Sequence, residues 1–176
     1  MGTKKNNIDL EKLGAAMEDM QKDPSKLKKV TKVEGDWNLG EGSQFKAEVS
    51  FEKGKIKLES DQPSFLGGGG TNPGPLIYCL YGSASCYIAT FATMAAMEGV
   101  ELKKLSIVAE SFVDFSKVFG IAEKPIAEKV KFTLFVESDA PEEKIKQIEE
   151  LANERCPAMY CLTQPIPVET ELKIKG

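Results

Sequence analysis

The stretch TNPGPLIYCLYGSASCYIATFATMAAMEG, residues 71–99, decides the fold. No charged side chain occurs from Thr71 to Met97. Asn72 or Thr71 can cap the first amides, Pro75 suits a first helical turn where a missing N–H costs nothing, and Gly99 can take the left-handed conformation that ends a helix. A helix from Pro75 to Glu98 would be about 36 Å long at roughly 1.5 Å per residue. Length alone would allow a membrane span. The expectation is against one: Ser83, Ser85, Thr90, Thr93, Tyr78, Tyr81 and Tyr87 dilute the apolar run, basic anchors are missing from its flanks, and amphipathic strands surround it. A helix that is apolar nearly all round must be covered on every side. A chain of 176 residues has few other elements to do this, so a second subunit is the natural source of cover.

Outward from this helix the pattern changes. Leu10, Leu13, Met17 and Met20 recur at helical spacing over residues 7–22, and Asp23-Pro24 ends that helix. From Leu27 the period becomes two. Residues 30–37 predict a first strand; Phe45, Ala47, Val49 and Phe51 alternate with polar residues, as do Ile56 and Leu58, with Lys53-Gly54 as a hairpin turn. Gly67 to Gly70 precede the helix, but no Lys-Ser or Lys-Thr follows them, so a phosphate loop is excluded and a hinge is expected. Beyond the helix, residues 105–112 and 130–136 read as strands. Asp139 with Glu142 predicts a capping box for a helix to Glu154, with Ile145, Ile148 and Leu151 as its buried stripe. Residues 158–162 can add a turn, and Val168, Thr170, Leu172 and Ile174 predict a closing strand. The order implies an α+β fold with antiparallel sheets around a long buried central helix. Residues 1–26 are expected to be a helical extension and residues 27–176 a single domain.

Composition narrows the chemistry. With 41% hydrophobic and 28% charged residues the chain suits a soluble globular domain, and its net charge of −4 argues against nucleic acid as a partner. No apolar leader follows Lys4 and Lys5, so a cytoplasmic location is expected, and there four cysteines are reduced rather than stapled. Histidine is absent, which removes Cys-His catalysis and the commonest zinc ligand; no metal or other cofactor is implied. Cys79 and Cys86 lie two turns apart on one helix face, about 10 Å along the axis, too far for a disulfide. Cys156 and Cys161 flank a Pro-initiated turn and are also poor partners. Any disulfide is therefore long-range, its pairing left open by sequence alone. A cysteine in an apolar helix is most often a small hydrophobe, and burial raises its pKa. Cys156 has the better local field, able to cap the turn that starts at Pro157 and sitting beside Arg155, although a cation there more commonly complements the helix C-terminus. Tyr78, Tyr81, Tyr87 and Trp37 are expected in the core or an interface, and the helical tyrosines could line an apolar pocket beside Cys86.

The run from Pro75 to Cys86, in which a proline precedes by eleven positions a cysteine set after small residues, resembles the helix motif of the OsmC/Ohr family, the osmotically inducible protein C and organic hydroperoxide resistance proteins. Asp114-Phe-Ser-Lys-Val-Phe-Gly120, Ser138-Asp-Ala-Pro-Glu-Glu143 and Arg155-Cys156-Pro157 resemble the family's later segments in order and spacing. The match spans roughly residues 28–175. The resemblance implies an intertwined homodimer, with both long helices sandwiched by sheets. It also implies a thiol-dependent peroxidase for organic hydroperoxides, in which Cys86 is the peroxidatic thiol, Cys156 resolves it, and an external dithiol reduces the pair. Cys79 and Cys161 match no family cysteine and are expected as packing residues. The family's peroxidases activate their thiol with an arginine from the N-terminal sheet, oriented by a glutamate just after the motif proline. Here that position is Leu76, and no arginine precedes Arg155. Lys46 or Lys32 could stand in, without arginine's planar two-point grip. The departure places the chain nearer the OsmC-like branch and keeps a second expectation alive: a non-catalytic dimer that binds an apolar small molecule or senses redox state.

Overall fold

The computed structural model describes residues 4–174. The elements run β1 (Lys4–Lys5), β2 (Ile8–Asp9), α1 (Leu10–Lys22), β3 (Glu34–Trp37), β4 (Phe45–Phe51), β5 (Gly54–Ser60), α2 (Pro75–Met97), β6 (Leu102–Val113), β7 (Ala127–Ser138), α3 (Glu142–Arg155) and α4 (Pro157–Thr163). This is the expected mixture of helices and small antiparallel sheets. The described residues fall into two compact units: one holds Lys4, Asp9–Gly82 and Ala109–Lys131, the other Lys5–Ile8, Ser83–Val108 and residues 132–174.

In the first unit β3, β4 and β5 form an antiparallel sheet in that order, with Trp37 opposite Phe45 and Val49 opposite Ile56. Phe51 pairs with Gly54, so the two-residue turn is Glu52-Lys53 and not Lys53-Gly54 as expected. The register wins because Lys55 meets Glu48 across the ladder at 2.6 Å and keeps the apolar alternation on one face. The glycine run expected as a hinge is instead pinned. Asp61, buried, accepts from the backbone N–H and the hydroxyl of Thr71, both at 2.9 Å, and Gly70 N–H donates to Gln62 C=O at 3.1 Å. A Cβ on Gly68 would stand 2.0 Å from that carbonyl oxygen of Gln62, so only glycine lets the loop close. Asn72 and Thr71 are therefore engaged elsewhere, Asn72 on Ser43 Oγ at 2.6 Å, and Gly74 C=O receives the first α2 amides in place of the expected cap.

The second unit has the apolar core. Tyr87, Phe91, Met94 and Ala95 of the C-terminal part of α2 pack in one cluster with Val100, Ile148, Ala152 and Cys156, and Leu105, Ile107, Phe132 and Leu134 cover it. Burying side chains such as Phe91 and Ile148 stabilises by about 1.5–3 kcal/mol each. By length and composition α2 would suit a membrane span; in the fold its buried residues all lie in this C-terminal part, whereas Leu76, Ile77 and Tyr81 are exposed. Gly99, at φ +75°, ends the helix as expected, with Val100 N–H bonded back to Ala95 C=O at 2.8 Å. Asn6 and Asn7, both at positive φ, make the tight turn between β1 and β2, and the Asn6 amide donates to Val100 C=O and accepts from Leu102 N–H. The side chain thus fixes the chain's exit from α2.

β6 and β7 form a two-stranded sheet. Their antiparallel sense shows in Lys104 with Glu137, Lys131 with Glu110, and Lys129 over the Phe112 ring. Two expectations fail at the C-terminal end. Asp139 does not cap α3: Pro141 holds the cap position with no side-chain bond, while the Asp139 carboxylate is taken by Lys103. Residues 168–174 form no strand, because no β-ladder partner takes them up among the described residues, and Val168, Leu172 and Ile174 are more than four-fifths exposed.

Candidate active site: a pair of thiols at the α3–α4 corner

Cys86 projects from α2 in the second unit, and Cys156 stands between α3 and α4. Pro157 forces this corner: it starts α4 at a position where its missing N–H is harmless and keeps Cys156 extended, at φ −79° and ψ 119°. The Cys156 thiol is buried and donates to Cys86 Sγ at 3.6 Å. A disulfide needs about 2.05 Å between sulfurs, so a side-chain movement of roughly 1.5 Å closes the bond. Of the four cysteines, Cys86 and Cys156 are the pair with this contact described. Cys79 and Cys161, expected as packing residues, are solvent-exposed in the single chain.

The electrostatics of Cys86 are divided. Burial pushes its thiol up from the ordinary value, the N–H of Ala158 at the start of α4 pulls it down, and the hydrogen bond and charge of Cys156 push it up again, for a net rise. Cys156 was expected to cap α4 with its own sulfur; it makes no cap bond, and the amide is used on Cys86 instead. A proline followed by a small residue after Cys156 carries this signal, since a helix that starts there must aim its first N–H groups back toward the corner. Thr90 Oγ1 donates to Cys86 C=O at 2.9 Å, occupying the carbonyl one turn back along α2.

The remaining candidates separate. Tyr87 is buried in the same cluster, its ring 5.5 Å from that of Phe132. Burial first, then the charges of Glu149 and Cys156, push its hydroxyl up to about 12 against the pull of a bond from Asn153. Arg155 is exposed and lays Nη1 3.7 Å from Met94 Sδ. Its charge helps to hold the Glu98 carboxyl below its usual range, after the larger effect of Lys144. None of the groups identified as acting on Cys86 is cationic. Tyr78, Tyr81 and Lys46 belong to the other unit. There the Tyr78 hydroxyl donates to Glu59 C=O at 2.8 Å, Tyr81 is 71% exposed, and Lys46 stands exposed opposite Glu59 on the β4–β5 ladder.

A helix-borne thiol is thus contacted by a second thiol at a Cys-Pro corner, within an α+β fold of small antiparallel sheets. Residues 67–171 match the OsmC-like protein family, and the chain belongs to that family. Solved structures agree in fold. An OsmC-like protein from Mycoplasma pneumoniae is 20% identical with a TM-score of 0.56, covering 76% of this chain and 87% of that one. An organic hydroperoxide resistance protein OsmC from Legionella pneumophila is 18% identical at 0.55, covering 77% and 92%. A Vibrio cholerae protein assigned to organic hydroperoxide resistance, with captopril bound in one of its active sites, is 17% identical at 0.55, covering 78% and 88%. No curated protein sequence matches the chain.

Proposed function

We propose that the protein is a thiol-dependent peroxidase for organic hydroperoxides, a reading carried by the 3.6 Å contact between Cys86 and Cys156. Family membership and a neighbour concerned with organic hydroperoxide resistance support a peroxide-related redox role. The Cys86 thiolate attacks the outer oxygen of ROOH: an S–O bond forms, the O–O bond breaks, and the alkoxide takes a proton and leaves as ROH, giving a sulfenic acid. Cys156 then attacks that sulfur, the S–S bond forms, and hydroxide leaves as water. An external dithiol returns both sulfurs to thiols and is itself oxidised to a disulfide.

A homodimer belongs to this proposal. A second copy would cover the exposed Leu76, Ile77 and Tyr81 of α2. A reducing compartment such as the cytoplasm suits a cysteine pair that must be returned to thiols. The net upward push on the Cys86 thiol favours a second reading, in which the pair senses redox state and an apolar molecule is bound without turnover.

Steady-state reduction of cumene hydroperoxide with dithiothreitol decides between them. Cys86→Ser should abolish turnover, because a hydroxyl lacks the thiolate's nucleophilicity at neutral pH. Cys156→Ser should permit a single turnover and leave Cys86 as sulfenic or over-oxidised acid, visible by mass spectrometry. Unchanged Cys86 after peroxide treatment in the wild type and in Cys156→Ser would leave the binding reading.

A further inference from the structure

The two sulfurs of the second unit have a chemistry that needs no peroxide. Cys86 Sγ and Cys156 Sγ stand 3.6 Å apart as thiol against thiol. Cys156 is 1% exposed and Cys86 is half-buried, so a small molecule reaches Cys86 first and closes onto Cys156. Adjacent thiols hold soft, thiophilic centres. Ligand count, sulfur spacing and charge decide which one.

Zinc in a closed site takes four ligands, and among the described residues no group of three or more His, Cys, Asp or Glu side chains could hold a metal ion. A linear dithiolate ion such as Cu(I) sets its sulfurs on opposite sides, more than about 4 Å apart for bonds of a little over 2 Å. Reaching that spacing means opening a corner whose cluster contains the fully buried Ala95 and Ala152. Trivalent arsenic is pyramidal. With two sulfurs held near a right angle, at a bond length of about 2.3 Å like that of zinc to sulfur, it spans roughly 3.3 Å. The pair reaches this by a small rotation of one side chain.

Charge points the same way. A cationic metal binds thiolates and must drive off both protons, here against the burial that pushes the Cys86 thiol up. Arsenous acid and its monosubstituted forms are neutral near neutral pH, condense with thiols by losing water and leave a neutral adduct, so no charge enters the half-buried site. We infer that the reduced Cys86–Cys156 pair is a chelating site for trivalent arsenicals. Cys86 Sγ bonds to the arsenic of R–As(OH)2, and one hydroxyl leaves as water with the thiol proton; Cys156 Sγ displaces the second hydroxyl in the same way. Two S–As bonds replace two O–As bonds, arsenic stays trivalent, and R remains on the solvent side of Cys86. A pair occupied in this way cannot form its disulfide. The site requires the sulfur contact and not turnover, so it stands apart from the peroxidase reading.

The test uses the full chain, reduced and freed of added thiol, with sodium arsenite as the probe. Native mass spectrometry should find one arsenic per chain with two waters lost, and bound arsenite should protect Cys86 from iodoacetamide. Cys86→Ser and Cys156→Ser, each checked for native circular dichroism, should each weaken binding by about a hundredfold or more, the low end of what a second, linked bond contributes. Cys79→Ser with Cys161→Ser should bind as wild type, although Cys161 lies near enough for its charge to act on Cys86. Zinc(II) at equal concentration should not displace the arsenic. No arsenic on the native wild-type chain, wild-type affinity in either single variant, loss of binding in Cys79→Ser with Cys161→Ser, or displacement by zinc would each overturn the inference. Hydroperoxide turnover is a separate readout: a chain that fails there and still captures arsenite loses the peroxidase reading alone.

Discussion

If Cys86 owes its reactivity to this structure alone, its pH profile is set by the balance at its sulfur. Burial and the Cys156 thiol push the pKa above the ordinary 9.0, and the Ala158 amide only partly offsets them. At neutral pH the thiolate is then a small minority of chains, since each pH unit below a pKa costs about a factor of ten. Alkylation by iodoacetamide, followed by peptide mass spectrometry in a Cys79→Ser, Cys161→Ser background, should therefore accelerate about tenfold per pH unit between about pH 6 and 8. Cys156 is nearly inaccessible, so Cys86 dominates the signal. Ala158→Pro removes the N–H aimed at the sulfur from a position where the helix itself does not need it. A hydrogen bond to a charged group contributes about 1.5–3 kcal/mol, so this variant should slow alkylation at neutral pH by about tenfold or more, provided that circular dichroism shows α4 retained. A rate that stays flat and high well below neutral pH would refute the reasoning. It would show that a cation reaches Cys86 and stabilises the thiolate.

Tyr87 gives a stability test at alkaline pH. Its hydroxyl is pushed up to about 12 from 10.0, so between those values the unfolded chain ionises first and stability falls with rising pH, by about 2–3 kcal/mol in full. Tyr87→Phe should remove that part of the slope in urea unfolding at pH 9 to 12, and an unchanged slope would refute the assigned burial. Ala152→Leu, inserting bulk at a fully buried position one turn before Cys156, should slow disulfide formation after peroxide while leaving Cys86 alkylation near the wild-type rate; equal loss of both would point to general misfolding. Sedimentation at low concentration should find a dimer, and a stable monomer with α2 exposed would contradict the proposed cover.

Much of the fold was legible because its signals are local. The uncharged run from Thr71 to Met97, the glycine that stops it at Gly99, the alternation in β4 and β5, and the stripe at Ile145 and Ile148 each depend on neighbours in the sequence. The misses share a different cause. Asp139 has cap chemistry but stands two residues before Pro141, which holds the cap position, and Lys103, distant in sequence, takes its carboxylate. Val168 to Ile174 alternate like a strand, yet alternation specifies only which faces differ; a ladder also needs a partner edge. The glycine run read as loose because glycine is permissive, whereas here it is required by the close approach of Gly68 to Gln62.

The candidate site divides along the same line. That Cys86 and Cys156 belong together came from family resemblance, since seventy residues separate them and no pattern within either helix sets their distance. What sets it is the packing of small residues: Ala95 and Ala152 are fully buried in the one cluster that also holds Tyr87 and Cys156, and side chains this small let neighbouring elements approach closely. The polar part of the site follows from the same corner. Pro157 begins a helix directly after Cys156, which points an amide at whatever lies against the corner, and the packing places Cys86 there. The chain thus supplies a neutral dipole at the sulfur where the family's peroxidases supply an arginine. A dipole falls off faster with distance than a charge and only partly offsets desolvation, so this pair is built for close sulfur contact more than for a persistently ionised nucleophile.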